Sequence, residues 1–417
     1  MNTLSIVFVL LLISYFIAEL WLGWRHIKHI RNHSKHVPDE FAQNITLEEH
    51  QKSAKYSIAK KKFALFNAPI ALALLLFWTL GGGFEFFDNL VRGFAFNPIL
   101  TGVVFLLAIS FVMSLIDLPA SWYLTFKLEE RFGFNRTTVK IFFSDLIKGW
   151  LVGLIIGIPL LLLVLWLMQN SGNFWWLWVW TTWLGFSLLM MWIYPTIIAP
   201  LFNKFTPLEN EQLNSVINKL LARTGFNSNG IFIMDGSKRS GHGNAYFTGF
   251  GKSKRIVFFD TLLNTLNNSE IEAVLAHELG HFKHNHIKKS LALMATISLF
   301  GLWLLAFLID KNWFYQGLGI SQKSDYAALI LFMSTMPIFT FFITPLFSWL
   351  SRKNEYQADE YASVQADGSS LVSALVNMYK DNASTLTPDP IHSLVYDSHP
   401  PAPLRIKHIL GVMSSNR

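Results

Sequence analysis

Apolar residues in this chain come in long unbroken blocks separated by short polar stretches. A helix needs about 20 apolar residues to cross the hydrocarbon core of a bilayer. Seven blocks are of that order: residues 4–24, 63–80, 98–126, 146–168, 174–202, 290–309 and 326–350. The first has no basic stretch before it and no small-residue cleavage site, and it ends in Trp21 and Trp24, so it reads as a retained span and not a signal peptide. The fifth opens with Trp175, Trp176, Trp178, Trp180 and Trp183, the pattern of an interfacial aromatic belt.

The polar stretches give an orientation. Residues 25–62 hold nine Lys and Arg, loop 81–97 only Arg92, loop 127–145 four, loop 169–173 none, and loop 310–325 only Lys311 and Lys323. Basic loops stay in the cytosol, so the N-terminus is expected outside and the C-terminus inside. Stretches 203–289 and 351–417 then lie on the cytosolic side. The expected division is 1–202 (spans one to five, with cytosolic loops 25–62 and 127–145), 203–289 (a cytosolic domain), 290–350 (spans six and seven) and 351–417 (a cytosolic C-terminal part).

Within 203–289 the periodicity changes. Thr206-Pro207-Leu208-Glu209 reads as a capping box with Pro at the first helical position, and that helix is expected to stop near Thr224-Gly225. Ile231–Met234, Ala245–Thr248 and Arg255–Phe259 read as short strands between Gly-rich turns. Ser269 with Glu272 predicts a helix starting near Glu270 and running on into span six.

Composition agrees with the blocks. Hydrophobic residues make up 52% and charged residues 15%, against about 25% charged in a soluble domain. The absence of cysteine excludes disulfides and thiolate metal sites, leaving His, Asp and Glu as ligands. The net charge of +7 is assigned to basic loops facing anionic lipid; with no aromatic-interleaved basic patch, no nucleic-acid partner is expected.

The predicted helix from Glu270 carries His277-Glu278-Leu279-Gly280-His281, an H-E-x-x-H pattern. His277 and His281 project from one face about 6 Å apart along the axis, which lets both bind one Zn²⁺, while Glu278 sits about 100° round, placed to reach a water and not to ligate. A catalytic zinc needs a third protein ligand. His284 lies about 10 Å from His277 along the axis and His286 on another side, so neither is expected to ligate and both are placed at the wet interface. Glu355 and Asp359, four apart where span seven ends, share a helix face, and the span six–seven hairpin brings them to the same place. Glu355 is the expected third ligand; Asp359, one turn on, accepts from the free nitrogen of a ligating histidine. For the oxyanion, Ser398-His399-Pro400-Pro401 and Arg405 offer donors, although a turn histidine and a surface charge read equally well. Asn244 and Ala245 lie on a strand that either pairs with a substrate peptide or is an ordinary edge.

Together these residues resemble a known family. The set runs through Lys238-Arg239-Ser240, Gly243-Asn244-Ala245-Tyr246-Phe247, Arg255-Ile256-Val257, Asp260-Thr261-Leu262-Leu263, His277–His281, Arg352 with Glu355 and Asp359, and His399-Pro400. Asp117-Leu118-Pro119, Tyr123, Thr125-Phe126, Leu128-Glu129 and Phe132-Gly133-Phe134-Asn135 extend it into span three. The chain resembles the integral-membrane zinc CAAX prenyl endopeptidases over nearly its whole length. The resemblance implies a mainly α, seven-transmembrane-helix barrel enclosing a large chamber, with a cytosolic α+β zinc metalloprotease domain made of a small sheet and the HExxH helix. It implies one Zn²⁺ per chain on His277, His281 and Glu355, Glu278 as catalytic glutamate, Asp359 as proton donor or supporting residue, and Asn244, His399 and Arg405 on the substrate or transition state. The expected partners are the bilayer and a peptide or protein with a prenylated C-terminus, with no obligate protein partner evident. The short chain, ending in Ser414-Ser415-Asn416-Arg417 without a retention signal, looks like a bacterial relative in an inner membrane, where membrane-protein quality control is a broader role. A transporter, or a chain-binding protein with a structural zinc, is the competing class; few charges within the spans and no paired broken helices count against transport. A reporter fused after Arg417 is expected to read as cytosolic, and an extracytoplasmic signal would overturn the orientation.

Overall fold

The computed structural model describes residues 2–248 and 255–415. Among them are seven helices long and apolar enough to cross a membrane: Thr3–His33, Leu47–Trp78, Pro98–Phe132, Val139–Asn170, Gly172–Phe202, His286–Leu308 and Asp325–Gln365. These are the seven expected spans, several of them longer than their apolar blocks. The first two keep helical structure through their basic segments because Lys, Arg and Glu are good helix formers once an adjoining apolar turn has nucleated the helix. Side chains set where the spans begin. Asn2 and Thr46 form capping boxes with Ser5 and Glu49, and Asn97, Thr138 and Ser324 each accept a first-turn N–H. The fifth span loosens into a π-helical turn at Tyr194–Ile198, where Pro195 removes one donor from the ladder.

Span one packs on two and seven, three on four, four on five, five on six and six on seven; the short helix Gly83–Arg92 links two to three, and seven also meets three. The ring is therefore closed. In a solid bundle each helix buries a stripe along its length. Here span four buries only Leu165, Leu167 and Met168, and span five only Trp175 and Val179 near the loop joining the two and Ala199 at its far end. An apolar cluster of Phe8, Phe84, Phe105, Leu165, Tyr315 and Tyr326 plugs one end of the ring. The middle of the ring is left unfilled. The spans form a barrel around an open chamber.

The strands are β1 (Phe205–Pro207), β2 (Ile231–Met234), β3 (Ala245–Thr248) and β4 (Arg255–Phe259), in the order β1-β2-β4-β3. β2 and β4 are parallel, and both outer strands run antiparallel to their neighbours. Three strands stand where the sequence predicts them, but β1 replaces the expected capping box at Thr206. Phe205–Pro207 finds a pairing partner in β2, and an edge strand tolerates the N–H that Pro207 lacks. The helix starts later, at Glu211, with Asn210 accepting from Leu213 N–H, and it ends at Gly225 in the left-handed region (φ 66°) as expected. Beneath the sheet, Ile217, Leu220, Phe258, Leu275, Leu375 and Ile406 share one core, so the C-terminal helices complete the domain that the sheet begins.

Arg239 clamps this domain to the barrel. Its Nε and Nη2 donate to Asp145 at 2.7 and 2.9 Å, Nη1 to Asn203 Oδ1 at 2.8 Å, and Nη2 also to the Phe202 carbonyl at 2.7 Å. Asp145 thereby gains a structural partner at the foot of span four. Arg239→Ala is expected to cost about 2 kcal/mol, read as an earlier thermal unfolding transition of the purified protein in detergent. Arg239→Lys should recover only part of it, because one ammonium cannot reach all these acceptors.

Candidate metal centre

The HExxH helix, Asn268–Lys283, begins two residues earlier than the expected box. Asn267 caps it, accepting from Ser269 and Glu270 N–H, while Glu270 Oε2 accepts from Asn267 N–H. The other oxygen of Glu270, itself buried, accepts from Ser373 and Asn377 and pins the start of the helix to Gly368–Asp381. At its far end the helix does not run on into span six. It stops at His284, and Asn285 takes a left-handed conformation (φ 55°) before a new helix begins at His286.

The continuation of span seven, Thr344–Gln365, crosses this helix at very close range. A Cβ on Gly280 would lie 2.8 Å from the Ala358 Cα and 3.1 Å from its carbonyl oxygen, so only glycine fits there. That approach places two i,i+4 pairs face to face. His277 Nε2 is 3.3 Å from His281 Nε2, and Glu355 reaches His277 Nε2 with Oε2 and His281 Nε2 with Oε1, each at 3.4 Å. Atoms bound tetrahedrally at about 2.0–2.1 Å to one zinc stand about 3.3–3.4 Å apart. The spacing matches. Glu355 Oε2 is also buried without a hydrogen-bond partner, as an acceptor waiting for a cation would be. Among the described residues no other group of three His, Asp or Glu side chains converges in this way.

Behind the ligands, His277 Nδ1 lies 2.8 Å from Asp359 Oδ1. Asp359 is fully buried and is met by Arg405, whose Nε donates to Oδ2 at 2.8 Å and whose Nη2 donates to Oδ1. Arg405, expected in front of the site, stands behind it. Burial opposes a charge on His277, but the Asp359 carboxylate paired with it and the nearby Glu355 carboxylate carry its pKa up to about 9. A cation entering therefore displaces a proton. His281 goes the other way: burial, with His277 adding, lowers it to about 4 and leaves a neutral imidazole fit to ligate. His284 is outside the cluster. His286, expected at the wet interface, is buried, with Nδ1 3.0 Å from His281 Nδ1.

The front of the site stays open. His399 has a side chain 63% exposed with Nε2 3.5 Å from Glu355 Oε1, and Ser398 Oγ lies 3.1 Å from its Nδ1. The segment before it is firmly held. Arg352 reaches the carbonyls of Ser393, Leu394 and Asp397, Ser348 reaches that of Val395, and Asp389 caps the helix Pro390–Tyr396 while Arg25 of span one donates to it at 3.0 Å. His26 and His392 stack at 3.9 Å beside that contact. Burial pushes the Glu278 carboxyl above its usual range, against the pull of His277 and with Glu355 adding to the push. That shift suits a group that must take and return a proton. β3 is an edge strand, and because Phe259 N–H bonds the Asn244 carbonyl, the next residue, Ala245, turns its N–H and C=O away from β4. The exposed Asn244 side chain accepts from that Ala245 N–H on the free edge.

Comparisons with known proteins agree with this architecture. Residues 26–204 match the family described as CAAX prenyl protease N-terminal, five membrane helices, and residues 207–413 match peptidase family M48. The chain is 33% identical to the Arabidopsis thaliana CAAX prenyl protease 1 homolog over 96% of both chains. It is 35% identical to the Saccharomyces cerevisiae CAAX prenyl protease 1, covering 93% of this chain and 91% of that one. Its fold is similar to the crystal structure of S. mikatae Ste24p, with a TM-score of 0.90 and 33% identity over 98% of this chain and 99% of the other.

The crossing at Gly280 yields a direct test. Gly280→Ala forces the two helices apart, with a cost of about 1–3 kcal/mol. The expected outcome is purified protein with less bound zinc than wild type and an earlier unfolding transition; unchanged zinc content would show that the close approach is not what sets the ligand spacing.

Proposed function

The chain belongs to peptidase family M48, and on that premise we propose that it cleaves prenylated CAAX-type proteins near their C-terminus, at the cytosolic face of its membrane. The protein is a membrane-embedded zinc endopeptidase with seven spans. The substrate reading is supported by relatives named CAAX prenyl protease 1 and by similarity along almost the full length of both chains. The cytosolic placement is supported by the alternation of basic and neutral loops. We also propose a bacterial inner membrane as its location, with a wider part in clearing membrane proteins; the relatives named above are eukaryotic.

The observation that carries the mechanism is the convergence of His277 Nε2, His281 Nε2 and the Glu355 carboxylate, each pair in contact at 3.3–3.4 Å. His277, His281 and Glu355 would hold the metal. Zinc supplies a Lewis acid and lowers the pKa of a water it binds. Glu278, next in sequence to His277 and displaced round the helix, takes the proton of the attacking water and hands it to the leaving amine. Asp359 and Arg405 hold the His277 ring: the buried carboxylate fixes the proton on Nδ1 and leaves Nε2 free, and the guanidinium keeps that carboxylate charged. Asp359 is therefore a positioning residue with no proton-donor part. His399, at the open front, donates to the oxyanion, a position that fits its exposure and its distance from Glu355. Asn244 and Ala245 receive the substrate backbone along the free edge of β3, which places an extended peptide beside the site.

Glu278→Gln is expected to keep one zinc per chain while cleavage of a CAAX-type peptide falls by about 10²–10⁴. His277→Ala should lose the zinc as well. Removing metal from the wild type with a chelator should abolish cleavage, and added Zn²⁺ should restore it. A Glu278→Gln protein that binds zinc and cleaves at the wild-type rate would sink the mechanism.

A further inference from the structure

We infer that His286 and Gln357 form a neutral hydrogen-bond relay that sets the tautomer and orientation of His281, a proposal that rests on His281 being a metal ligand. His286 Nδ1 is 3.0 Å from His281 Nδ1, and its Nε2 is 2.9 Å from Gln357 Oε1. The protons on these three groups have one consistent arrangement. His281 Nε2 faces His277 Nε2 and Glu355 and must offer a lone pair to a cation, so the proton of the neutral ring sits on Nδ1. It donates to His286 Nδ1, which is then the unprotonated nitrogen of its own ring. His286 Nε2 therefore bears hydrogen and donates to the Gln357 carbonyl. Reversing any one bond sets two donors or two acceptors against each other, or leaves His281 with its Nε2 blocked by hydrogen.

The contact exists because the helix is broken. In a continuous α-helix residues five apart lie about 140° round the axis, and their rings point to different sides. The left-handed turn at Asn285 redirects the chain between Lys283 and His286, with Asn285 N–H closing on the Phe282 carbonyl and Lys289 N–H opening the next helix on the Asn285 carbonyl. Asparagine takes this conformation at a lower cost than most residues. The break returns the His286 ring to His281, under the Gln357 side chain. Gln357 lies on the same helix as Glu355 and Asp359, so a single helix supplies a ligand and the outer partner of each ligating histidine. The two partners differ in kind. His277 leans on a carboxylate paired with Arg405, and His281 on a chain of neutral groups. Giving both rings carboxylate partners would add another buried negative charge beside Glu355, with no further cation to meet it.

The test is zinc affinity of the purified full-length protein, measured by chelator competition, with the visible spectrum of the Co²⁺-substituted protein as a second readout. His286→Leu is expected to weaken zinc binding by about 10–100-fold and to alter the Co²⁺ spectrum, with excess zinc restoring cleavage. Gln357→Leu should weaken it less, and Gln357→Glu, which keeps an acceptor oxygen, should retain the affinity. Because the two residues act through one chain, the double variant His286→Leu/Gln357→Leu should bind no more weakly than His286→Leu alone. Losses that add, or a folded His286→Leu protein with wild-type zinc affinity, would overturn the relay. His281→Ala keeps the two readings apart: if it retains zinc, the ligand assignment itself fails, and if it loses zinc while His286→Leu does not, only the relay fails.

Discussion

Two helices made some 80 residues apart in the chain touch backbone to backbone at Gly280 and Ala358, and the active centre exists because they do. Each carries its chemistry at i,i+4 spacing. The crossing lays the two pairs opposite one another at 3.3–3.4 Å, a spacing set by main-chain atoms and not by flexible side chains. Main chain moves less than a side chain when its surroundings fluctuate, which is what a metal site of fixed bond length requires. The far ends of the crossing are tied down separately, one by the Asn267–Glu270 box with Ser373 and Asn377, the other by the membrane-spanning length of the seventh helix.

Placing ionised groups in such a tight interior is unfavourable unless each is met. Asp359 has no exposed surface, and Arg405 meets it with two nitrogens. Removing one member of a buried pair typically costs about 3–5 kcal/mol, because the survivor keeps its charge without a partner. The ion pair thus couples two tasks. It closes the C-terminal helix onto the domain, and it fixes the ring of His277. Glu355 is the exception, a buried carboxylate with one oxygen unbonded, and the cation it lacks is the metal.

The features legible in the sequence are those set by periodicity or by a motif of short range. Seven apolar blocks became seven spans, three strands stand where their β-branched and aromatic runs lie, and the H-E-x-x-H residues and the Glu355/Asp359 pair converge as their spacing implies. What was missed depends on contacts between distant segments. Thr206 looked like a cap until β2 supplied a strand partner for Phe205–Pro207. Asn267 competed with Ser269 for the start of one helix, and either side chain has the chemistry. The glycine of the motif carries no local sign of its neighbour at Ala358. His286 was set aside because an unbroken helix was assumed, and only the left-handed Asn285 brings it round. Arg405 read as a donor at the front of the site or as a surface charge because its carboxylate partner lies 46 residues away.

The segment from Asp389 to Arg405 is anchored to span one through Arg25 and the His26–His392 stack, and it ends in the cation of Asp359. One short segment thus joins the foot of the first span to the support of His277, so a shift of that span against the domain would be felt at His277 Nδ1 through contacts held largely by main chain.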